Sequence, residues 1–286
     1  MKYIRIIPRL DIKGPNLVKG IHLEGLRVLG KPESFARLYY EQGADEIIYQ
    51  DTVASLYQRN NLTEIVTRTA ENIFIPITVG GGIRSLSDIS EILRSGADKV
   101  SINTAAIANP NFINQASQSF GSSTIVVAVE TIKQSDGRYL AFTDNGREYT
   151  GAEVVSWVRE VQERGAGEIL LTSIDQEGTG NGFDIDLIKL VSDVATIPIV
   201  AHGGAGTISH IVDSIQLTGV DAVALASILH YTAINQDTIS QKQFKDEGNI
   251  EFIKKRHSFK MFGTENIKMI KNQLTDSKVP IRTPNQ

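Results

Sequence analysis

The chain has 286 residues and a formal net charge of −4 at pH 7, with 41% hydrophobic and 22% charged residues. This balance is typical of a soluble protein with a sizeable core, and it gives no reason to expect a nucleic-acid or membrane partner. Because the chain contains no cysteine, disulfides, thiolate nucleophiles and cysteine metal sites are excluded. The N-terminus shows no signal-peptide pattern and no apolar run reaches membrane length, so we expect a cytoplasmic protein.

Runs rich in Val and Ile alternate with amphipathic helical segments along the chain. The strand-like runs are Ile4–Ile12, Glu46–Asp51, Ile75–Val79, Lys99–Ile102, Thr124–Glu130, Glu168–Ser173, Ile197–Ala201 and Ala222–Leu225. Eight such units in about 250 residues match the (β/α)8 TIM barrel of the α/β class. We therefore predict one barrel domain over residues 1–286. A doubly wound sheet is the alternative, but its Gly-x-Gly-x-x-Gly opening is missing after the first strand.

Several phrases recur in the two halves of the chain. Val79–Arg84 is similar to Ala201–Gly206, and Asp11 and Glu130 each lie at or near the end of a strand in their own half. This matching predicts two similar half-barrels, at about 1–119 and 120–286.

Two segments depart from the plain alternation of strands and helices. Lys133–Gly151 contains two turn sequences around Arg138–Thr143 and predicts a small hairpin on the fifth βα loop. The polar stretch at about 234–262 precedes a helical pattern at Thr264–Leu274, which we interpret as the closing helix. That stretch is therefore predicted to be an insertion in the last βα loop, on the catalytic face of a barrel.

The first strand places ionisable residues on one face. Side chains alternate along a strand, so Arg5, Ile7, Arg9 and Asp11 point the same way. Charges facing a protein interior are costly unless they are paired or functional. An edge strand with a solvated polar face is the alternative.

Two glycine-rich turns follow strands and precede helices, at Gly80–Gly82 and at Gly203–Gly204. Without side chains, backbone N–H groups can approach an anion closely. The residues that end the neighbouring strands add donors; they are Asn103, Thr104, Ala226 and Ser227. The pair predicts a ligand with two phosphates, although glycine in a βα turn can also be simple turn chemistry.

Asp11 and Glu130 end the first and fifth strands, so we expect them to face each other across the mouth of the barrel. Opposed carboxylates suit general acid–base catalysis on one bound ligand. A metal pair is the alternative, but no histidine accompanies them at ligand spacing, and we predict no metal and no cofactor. Lys19, in the first βα loop, is either a residue that closes over substrate or plain surface.

Four charged residues start barrel strands at the opposite end. Arg5, Glu46, Lys99 and Glu168 belong to strands one, two, four and six. Two cations and two anions there predict a charged ring. By position alone the ring would be a stabilising plug, because the bottom face of a barrel usually serves stability.

Three long phrases carry a family resemblance: Val79–Arg84, Gly96–Ala106 and Arg164–Asp175. Together they resemble the cyclase subunit of imidazole glycerol phosphate synthase, over residues 1 to about 230 and the final helix. The resemblance implies a barrel docked on a separate glutaminase subunit. Ammonia passes up the barrel and attacks a bis-phosphorylated ribulosyl nucleotide, which gives imidazole glycerol phosphate and an aminoimidazole carboxamide nucleotide.

The resemblance also implies roles for individual positions. The charged ring at the bottom matches the family's ammonia gate, which replaces the plug interpretation, and Asp98 matches a position in the glutaminase interface. Asp11 matches a catalytic carboxylate. Substrate or phosphate binding is implied for a larger set, namely Lys19, Gly81, Gly82, Asn103, Thr104, Thr172, Glu177, Gly178, Gly203, Gly204, Ala226 and Ser227.

The chain departs from the family pattern near the mouth. Glu130 and Glu177 stand where Asp is usual, and Arg9, Gln50 and His202 stand where Cys, Leu and Ser are usual. These three are candidates for substrate specificity. We favour a paralogous branch that amidates sugars of surface polysaccharides, with a glutaminase-like subunit and in some cases a third, ATP-dependent amidating enzyme; the phrase Gly20–Gly30 also looks closer to that branch. The alternatives are a genuine histidine-pathway cyclase and a non-catalytic ammonia conduit that activates the glutaminase.

Overall fold

The computed structural model describes residues 3–54, 62–236 and 265–282. The strands in this part of the chain are β1 (Arg5–Lys13), β2 (Asn16–Ile21), β3 (Glu24–Gly30), β4 (Ile47–Asp51), β5 (Ile77–Gly80), β6 (Lys99–Ile102), β7 (Ile125–Lys133), β8 (Tyr139–Thr143), β9 (Glu148–Glu153), β10 (Glu168–Ser173), β11 (Ile199–His202) and β12 (Ala222–Leu225). The helices are α1 (Pro32–Glu41), α2 (Thr63–Ala70), α3 (Leu86–Arg94), α4 (Thr104–Ala108), α5 (Asn111–Phe120), α6 (Val154–Glu163), α7 (Ile185–Ser192), α8 (Ile208–Thr218), α9 (Ser227–Asn235) and α10 (Ile267–Asp276).

Eight parallel strands close on themselves in the order β1, β4, β5, β6, β7, β10, β11, β12 and back to β1. Helices separate these strands along the chain, so the predicted (β/α)8 barrel is confirmed. A doubly wound sheet would leave two open edges, and the pairing of β12 with β1 rules it out. The half-barrel duplication stays a prediction.

Two antiparallel hairpins extend the barrel at the carboxyl ends of its strands. The predicted hairpin on the fifth βα loop is present, where β8 pairs with an extended β7 and β9 pairs with β8. A second hairpin, β2 and β3, fills the first βα loop and was not predicted. Its turn contains His22 and Leu23 at φ 53° and 62°. Positions with this left-handed conformation are usually occupied by Gly or Asn.

The first strand alternates as predicted. Ile6, Leu10 and Ile12 face the helices in the outer core, whereas Ile7 faces the barrel interior. β1 pairs with β4 on one side and β12 on the other, so the edge-strand alternative is wrong. Its polar face is therefore inside the barrel.

Helix ends follow local signals. Ser85 caps α3 through a capping box with Asp88, and Gly96 reverses the chain after that helix at φ 111°. The closing helix begins at Ile267, later than predicted, because Asn266 supplies its N-cap. α9 continues to Asn235, past the predicted start of the insertion, and the remainder of the predicted insertion, at 237–262, lies outside the described residues. None of the helices in the described ranges is long and apolar enough to cross a membrane.

Candidate active site

A closed ring of ion pairs lies at the bottom of the barrel. Arg5 donates to Glu46 at 2.7 Å and to Glu168 at 2.5 Å, and Lys99 reaches the second oxygen of each carboxylate at 3.1 Å. Both cations and both anions start or directly precede barrel strands, which is why they meet on the axis. The side chains are 8–23% exposed. The four residues thus form the charged ring that the sequence predicts.

An apolar layer separates this ring from the mouth. It consists of inward-facing side chains from six of the eight strands, namely Ile7, Ile48, Val126, Ala128, Leu170, Val200, Ala222 and Ala224. Small residues contribute three of the eight members. This layer is the inner core of the barrel, and it divides one polar region from another.

Arg9 lies above the apolar layer and is 1% exposed. Its guanidinium donates to Asp11 at 2.9 Å, to Thr172 at 3.2 Å and towards Nδ1 of His202 at 3.1 Å. Burial opposes the charge, but the carboxylates of Asp11 and Glu130 outweigh it, and the pKa of Arg9 is raised. Arg9 therefore spans the interior as a permanent cation that joins strand β1 to strands β10 and β11.

His202 is held in one tautomer. Its Nδ1 receives the Arg9 donor, so the proton of the neutral ring is on Nε2. Burial, together with the nearby Arg9 and Lys19 cations, lowers the pKa of His202 well below its usual value. His202 is thus a neutral hydrogen-bond acceptor for Arg9.

Glu130 faces the mouth from β7 and is 4% exposed. Burial raises the pKa of its carboxyl to about 7, against the opposing effects of the Arg9 charge and of hydrogen bonds from Gly146 and Asn103. A carboxyl with a pKa near neutrality can give and take a proton at physiological pH. Asp11 accepts a hydrogen bond from the Arg9 guanidinium at the same end of the barrel. The two carboxylates interact electrostatically, since the Asp11 charge raises the pKa of Glu130.

Lys19 is 1% exposed, so the plain-surface alternative is wrong. Its ammonium pairs with Glu177 and lies 3.9 Å from Asp11. Glu177 also accepts from the backbone of Leu23 at 3.0 Å, and its carbonyl accepts from His22 at 2.9 Å. These bonds hold the β2–β3 hairpin against the loop after β10, and they bring Lys19 into the site.

A cavity of about 360 Å³ opens beside Glu130. The predicted phosphate residues on this side line it together, namely Gly81, Gly82, Asn103 and Thr104. Asn103 donates to the carbonyl of Phe142 at 3.1 Å, and the hydroxyl of Thr104 accepts from Asp144 at 3.3 Å, so the β8–β9 hairpin supports that wall. Gln50 lines the same cavity, whereas Arg9 and His202 do not.

A second, much smaller pocket of about 10 Å³ lies on the other side of the mouth. It gathers the remaining predicted phosphate residues that follow β10, β11 and β12, namely Glu177, Gly178, Gly203, Gly204, Ala226 and Ser227, together with His202. Ala226 caps α9 without a side-chain hydrogen bond, so the first N–H groups of that helix are available to an anion. Thr172 lies below, bonded to Arg9.

Four residues at the site were missed by sequence reasoning. Ser101 and Asn145 line the larger cavity, and Arg84 adds a cation at its edge. Arg84 follows the glycine turn after one intervening residue, Ile83, and this signal could have been used. His230 holds the backbone of Arg9, through Nε2 to the carbonyl at 3.0 Å, and no local pattern marks it. Within the described ranges no group of three or more His, Asp or Glu side chains is arranged to hold a metal ion.

Comparison with known proteins identifies the family. The family model described as "Histidine biosynthesis protein" matches residues 5–235. The chain is similar to "Imidazole glycerol phosphate synthase subunit HisF" of Legionella pneumophila, with 61% identity over 72% of this chain and 97% of the relative. It is also similar to proteins of the same name from Alkaliphilus metalliredigens (44% identity, 83% and 94% covered) and Lactococcus lactis subsp. cremoris (44% identity, 88% and 97% covered). The chain therefore belongs to the family of HisF cyclase subunits of imidazole glycerol phosphate synthase, which are enzyme subunits of the lyase type.

Proposed function

We propose that this subunit uses ammonia in a cyclase reaction on an acceptor with two phosphates, with Asp11 and Glu130 as the acid–base pair. The observation that carries this is the placement of the two carboxylates between the two glycine-lined pockets, with Glu130 at a pKa of about 7. Attack of ammonia and ring closure both require protons to move between nitrogen and oxygen. The Glu130 carboxyl, with a pKa near neutrality, can exchange protons in these steps. The Asp11 carboxyl, which lies beside the Arg9 and Lys19 cations, is the second group of the pair.

The two pockets would hold the two phosphates. Gly81–Gly82 and Gly203–Gly204 adopt φ values of 72–104°, which exclude most other residues, and without side chains they let an anion approach the backbone closely. Arg84 at one pocket and the uncapped start of α9 at the other add positive potential. The acceptor would then be stretched across the mouth, over Asp11 and Glu130.

The interior would carry ammonia from the bottom to the mouth. The ring of Arg5, Glu46, Lys99 and Glu168 is proposed to be its gate, and the apolar layer above would let neutral ammonia through. Ammonium would be opposed there, because an unpaired charge in an apolar layer is costly. Arg9 lies at the upper end of that route as a further cation, 1% exposed.

The partner would be a glutaminase subunit docked on the bottom face. Asp98 is exposed on this face, and its carboxylate accepts from the backbone of Ile77 at 2.8 Å. Phe74 and Tyr3, which precede strands β5 and β1, are 81% and 52% exposed. Large apolar side chains around a gate are typical of a surface that a partner covers.

The experiment measures turnover of the bis-phosphorylated ribulosyl nucleotide with free ammonium salt, which removes the need for a glutaminase. We expect the wild-type chain to turn the substrate over and Asp11→Asn to reduce the turnover rate at least about 100-fold. Both proteins should remain folded. Glu130→Asp is the matched variant, because it keeps the charge and shortens the arm by one methylene. Absence of wild-type turnover from folded protein would contradict the proposal.

A second candidate is the sugar-amidating branch, in which the barrel passes ammonia to a different acceptor and a third, ATP-dependent enzyme is involved. The observation that favours it is the pairing of Arg9 with Asp11, which engages one oxygen of the carboxylate that would otherwise face the acceptor. A non-catalytic conduit would share this feature. Turnover that appears only in Glu130→Asp would favour the second candidate, and turnover in neither protein would favour it or the conduit.

A further inference from the structure

The first strand has a gap in its strand pairing beside the mouth of the barrel. Alternate residues of a strand direct their backbone groups to the same neighbour, and the N–H of Arg5 donates to Asp221, which precedes β12. The backbone groups of Arg9 therefore face the side of β12 as well. β12 is in register with β1 only as far as Pro8, and β2 pairs with β1 only from Asp11 onwards. The carbonyl of Arg9 thus lies between two strand pairings.

A side chain fills this gap. His230, in the first turn of α9, bonds through Nε2 to the carbonyl of Arg9 at 3.0 Å. Because a carbonyl can only accept, Nε2 carries the proton of the neutral ring. Nδ1 is then an acceptor, and the hydroxyl of Tyr39 on α1 donates to it at 2.6 Å. One tautomer satisfies both bonds, and together they tie α1 and α9 to β1 at Arg9.

The surroundings of His230 keep its ring in place. His230, Tyr39 and Phe35 are all fully buried. Tyr39 stacks on the His230 ring at an interplanar angle of 23°, and Phe35 meets it edge-on at 79°, each with ring centroids 5.7 Å apart. Burial lowers the pKa of His230 to about 3, so the ring stays neutral at physiological pH. The tie to Arg9 is therefore permanent under working conditions.

The tied carbonyl belongs to the stretch of β1 that presents the charged pair of the mouth. Nε of Arg9 donates to Asp11 at 2.9 Å, and Asp11 follows two residues later on the same strand face. A ring without a donor at position 230 would fill the space but leave a buried carbonyl unpaired, and the strand would shift to find a partner. A shift of about 1 Å there would misplace both side chains.

We propose that His230 is a positioning residue: with Tyr39 as its partner, it fixes the backbone of Arg9 and so holds the Arg9–Asp11 pair in place. Its effect on turnover rests on the proposed acid–base role of Asp11. Its effect on the geometry of the pair does not, and the two effects are measured separately.

The test follows the Arg9–Asp11 bond by NMR spectroscopy of the full chain. Exchange of the Arg9 Nε–H with solvent reports opening of that bond, and exchange of the backbone N–H of Ile169, in β10, reports opening of the barrel. His230→Phe should accelerate exchange at Arg9 at least about tenfold more than at Ile169. His230→Gln, which returns an N–H donor, should bring the Arg9 rate to within about threefold of wild type. The wild-type ring should carry its proton on Nε2 between about pH 5 and pH 8.

Phe35→Leu is the matched control, because it disturbs the packing around His230 and leaves both hydrogen bonds in place. The ratio of the Arg9 and Ile169 rates should then stay within about twofold of wild type. Tyr39→Phe is the second variant and decides the question if His230→Phe does not fold. It removes the donor to Nδ1 and should raise the ratio at least about threefold.

Equal acceleration at Arg9 and Ile169 would overturn the inference, and so would an equal effect of Phe35→Leu or a proton on Nδ1. In ammonium-dependent turnover, His230→Phe should lower kcat at least about tenfold, with KM for the bis-phosphorylated nucleotide within about twofold of wild type. An unchanged kcat would also overturn it. If the wild-type chain shows no turnover, the proposed reaction fails, and the exchange rates still decide whether His230 positions the pair.

Discussion

The two ends of the barrel interior both hold charged residues, but they complete their hydrogen bonds differently. At the bottom, the side chains of two cations and two carboxylates bond only to one another among the described residues, and each carboxylate uses both oxygens. At the mouth, Nη2 of Arg9 and Oε2 of Glu130 have no partner among the described residues. Buried charge alone does not distinguish a site from a stabilising cluster. Incomplete pairing does, because it leaves chemistry for a ligand to complete.

This difference in pairing also means that ligand binding would have different energetic costs at the two ends of the barrel. If the ring is the proposed ammonia gate, it must exchange some of its own ion pairs for contacts with the ligand or the partner. The mouth is arranged in advance, since Arg9 is fixed by Asp11, Thr172 and His202 before any acceptor arrives. Preorganised groups lose little on binding, which suits the end where we propose that the chemistry takes place.

Replacing Arg9 should have the largest effect on stability. Arg9→Met removes a fully buried cation, and among the described residues it leaves Asp11 with Lys19, 3.9 Å away, as its one cationic neighbour. Breaking a buried pair from one side typically lowers the free energy of unfolding by about 3–5 kcal/mol. Urea unfolding measures the loss. Arg37→Met, which breaks an exposed pair with Glu41 on α1, is the control, with an expected loss below about 0.5 kcal/mol. Similar losses in the two variants would remove the distinction between buried and surface pairs.

Glu130 should make stability depend on pH in a defined direction. Its pKa is raised in the fold from 4.5 to about 7, so the folded state holds the proton more tightly than the unfolded one. Stability from this group is therefore present below pH 4.5 and is lost as the pH rises through about 7. The shift corresponds to about 3 kcal/mol.

The measurement is the difference in unfolding free energy between Glu130→Gln and wild type, from pH 4 to pH 8. As the pH rises, the unfolding free energy of the wild-type chain should fall relative to that of Glu130→Gln. His230, whose pKa burial lowers to about 3, produces the opposite slope, but it does so in both proteins and cancels in the difference. A difference that stays flat across this range would show that Glu130 is not protonated in the folded protein.

Lys99 provides the corresponding test at the bottom of the barrel. Lys99→Met leaves Glu46 and Glu168 with Arg5 as their only cation in the ring. Because the Lys99 side chain is 19% exposed, solvent screens the remaining carboxylates, and we expect a loss of about 1–2 kcal/mol, smaller than for Arg9. Lys99→Arg keeps the charge, so its unfolding free energy, measured in urea, should be close to that of the wild-type chain. A loss equal to that of Arg9→Met would mean that the ring is as desolvated as the mouth.

Local patterns predicted most of the fold. Three barrel strands have the predicted bounds, and the fifth-loop hairpin is where its turn sequences indicated. The β2–β3 hairpin was missed because His22 and Leu23 take left-handed conformations without the residues that usually signal them. Patterning also placed the carboxylates and glycine turns at the mouth. It could not show that Lys19 turns inward to Glu177, because that contact joins parts of the chain 158 residues apart.

The smallest expected effect tests the space beside Gln50 that the missing side chain of Gly80 leaves open. Gly80 has no left-handed φ, so alanine is allowed by the backbone, and its Cβ would be 2.3 Å from the end of the flexible Gln50 side chain. Crowding should cost about 1 kcal/mol, partly offset by the lower chain entropy of alanine in the unfolded state. In a Gln50→Ala background the amide oxygen is absent and the closest remaining atom is Cβ of Ser101 at 3.0 Å, so Gly80→Ala should cost less than it does in the wild-type chain. Urea unfolding of the two single variants and the double variant would give a coupling of about 0.5–1 kcal/mol. Additive effects would mean that the Gln50 side chain does not occupy the space beside Gly80.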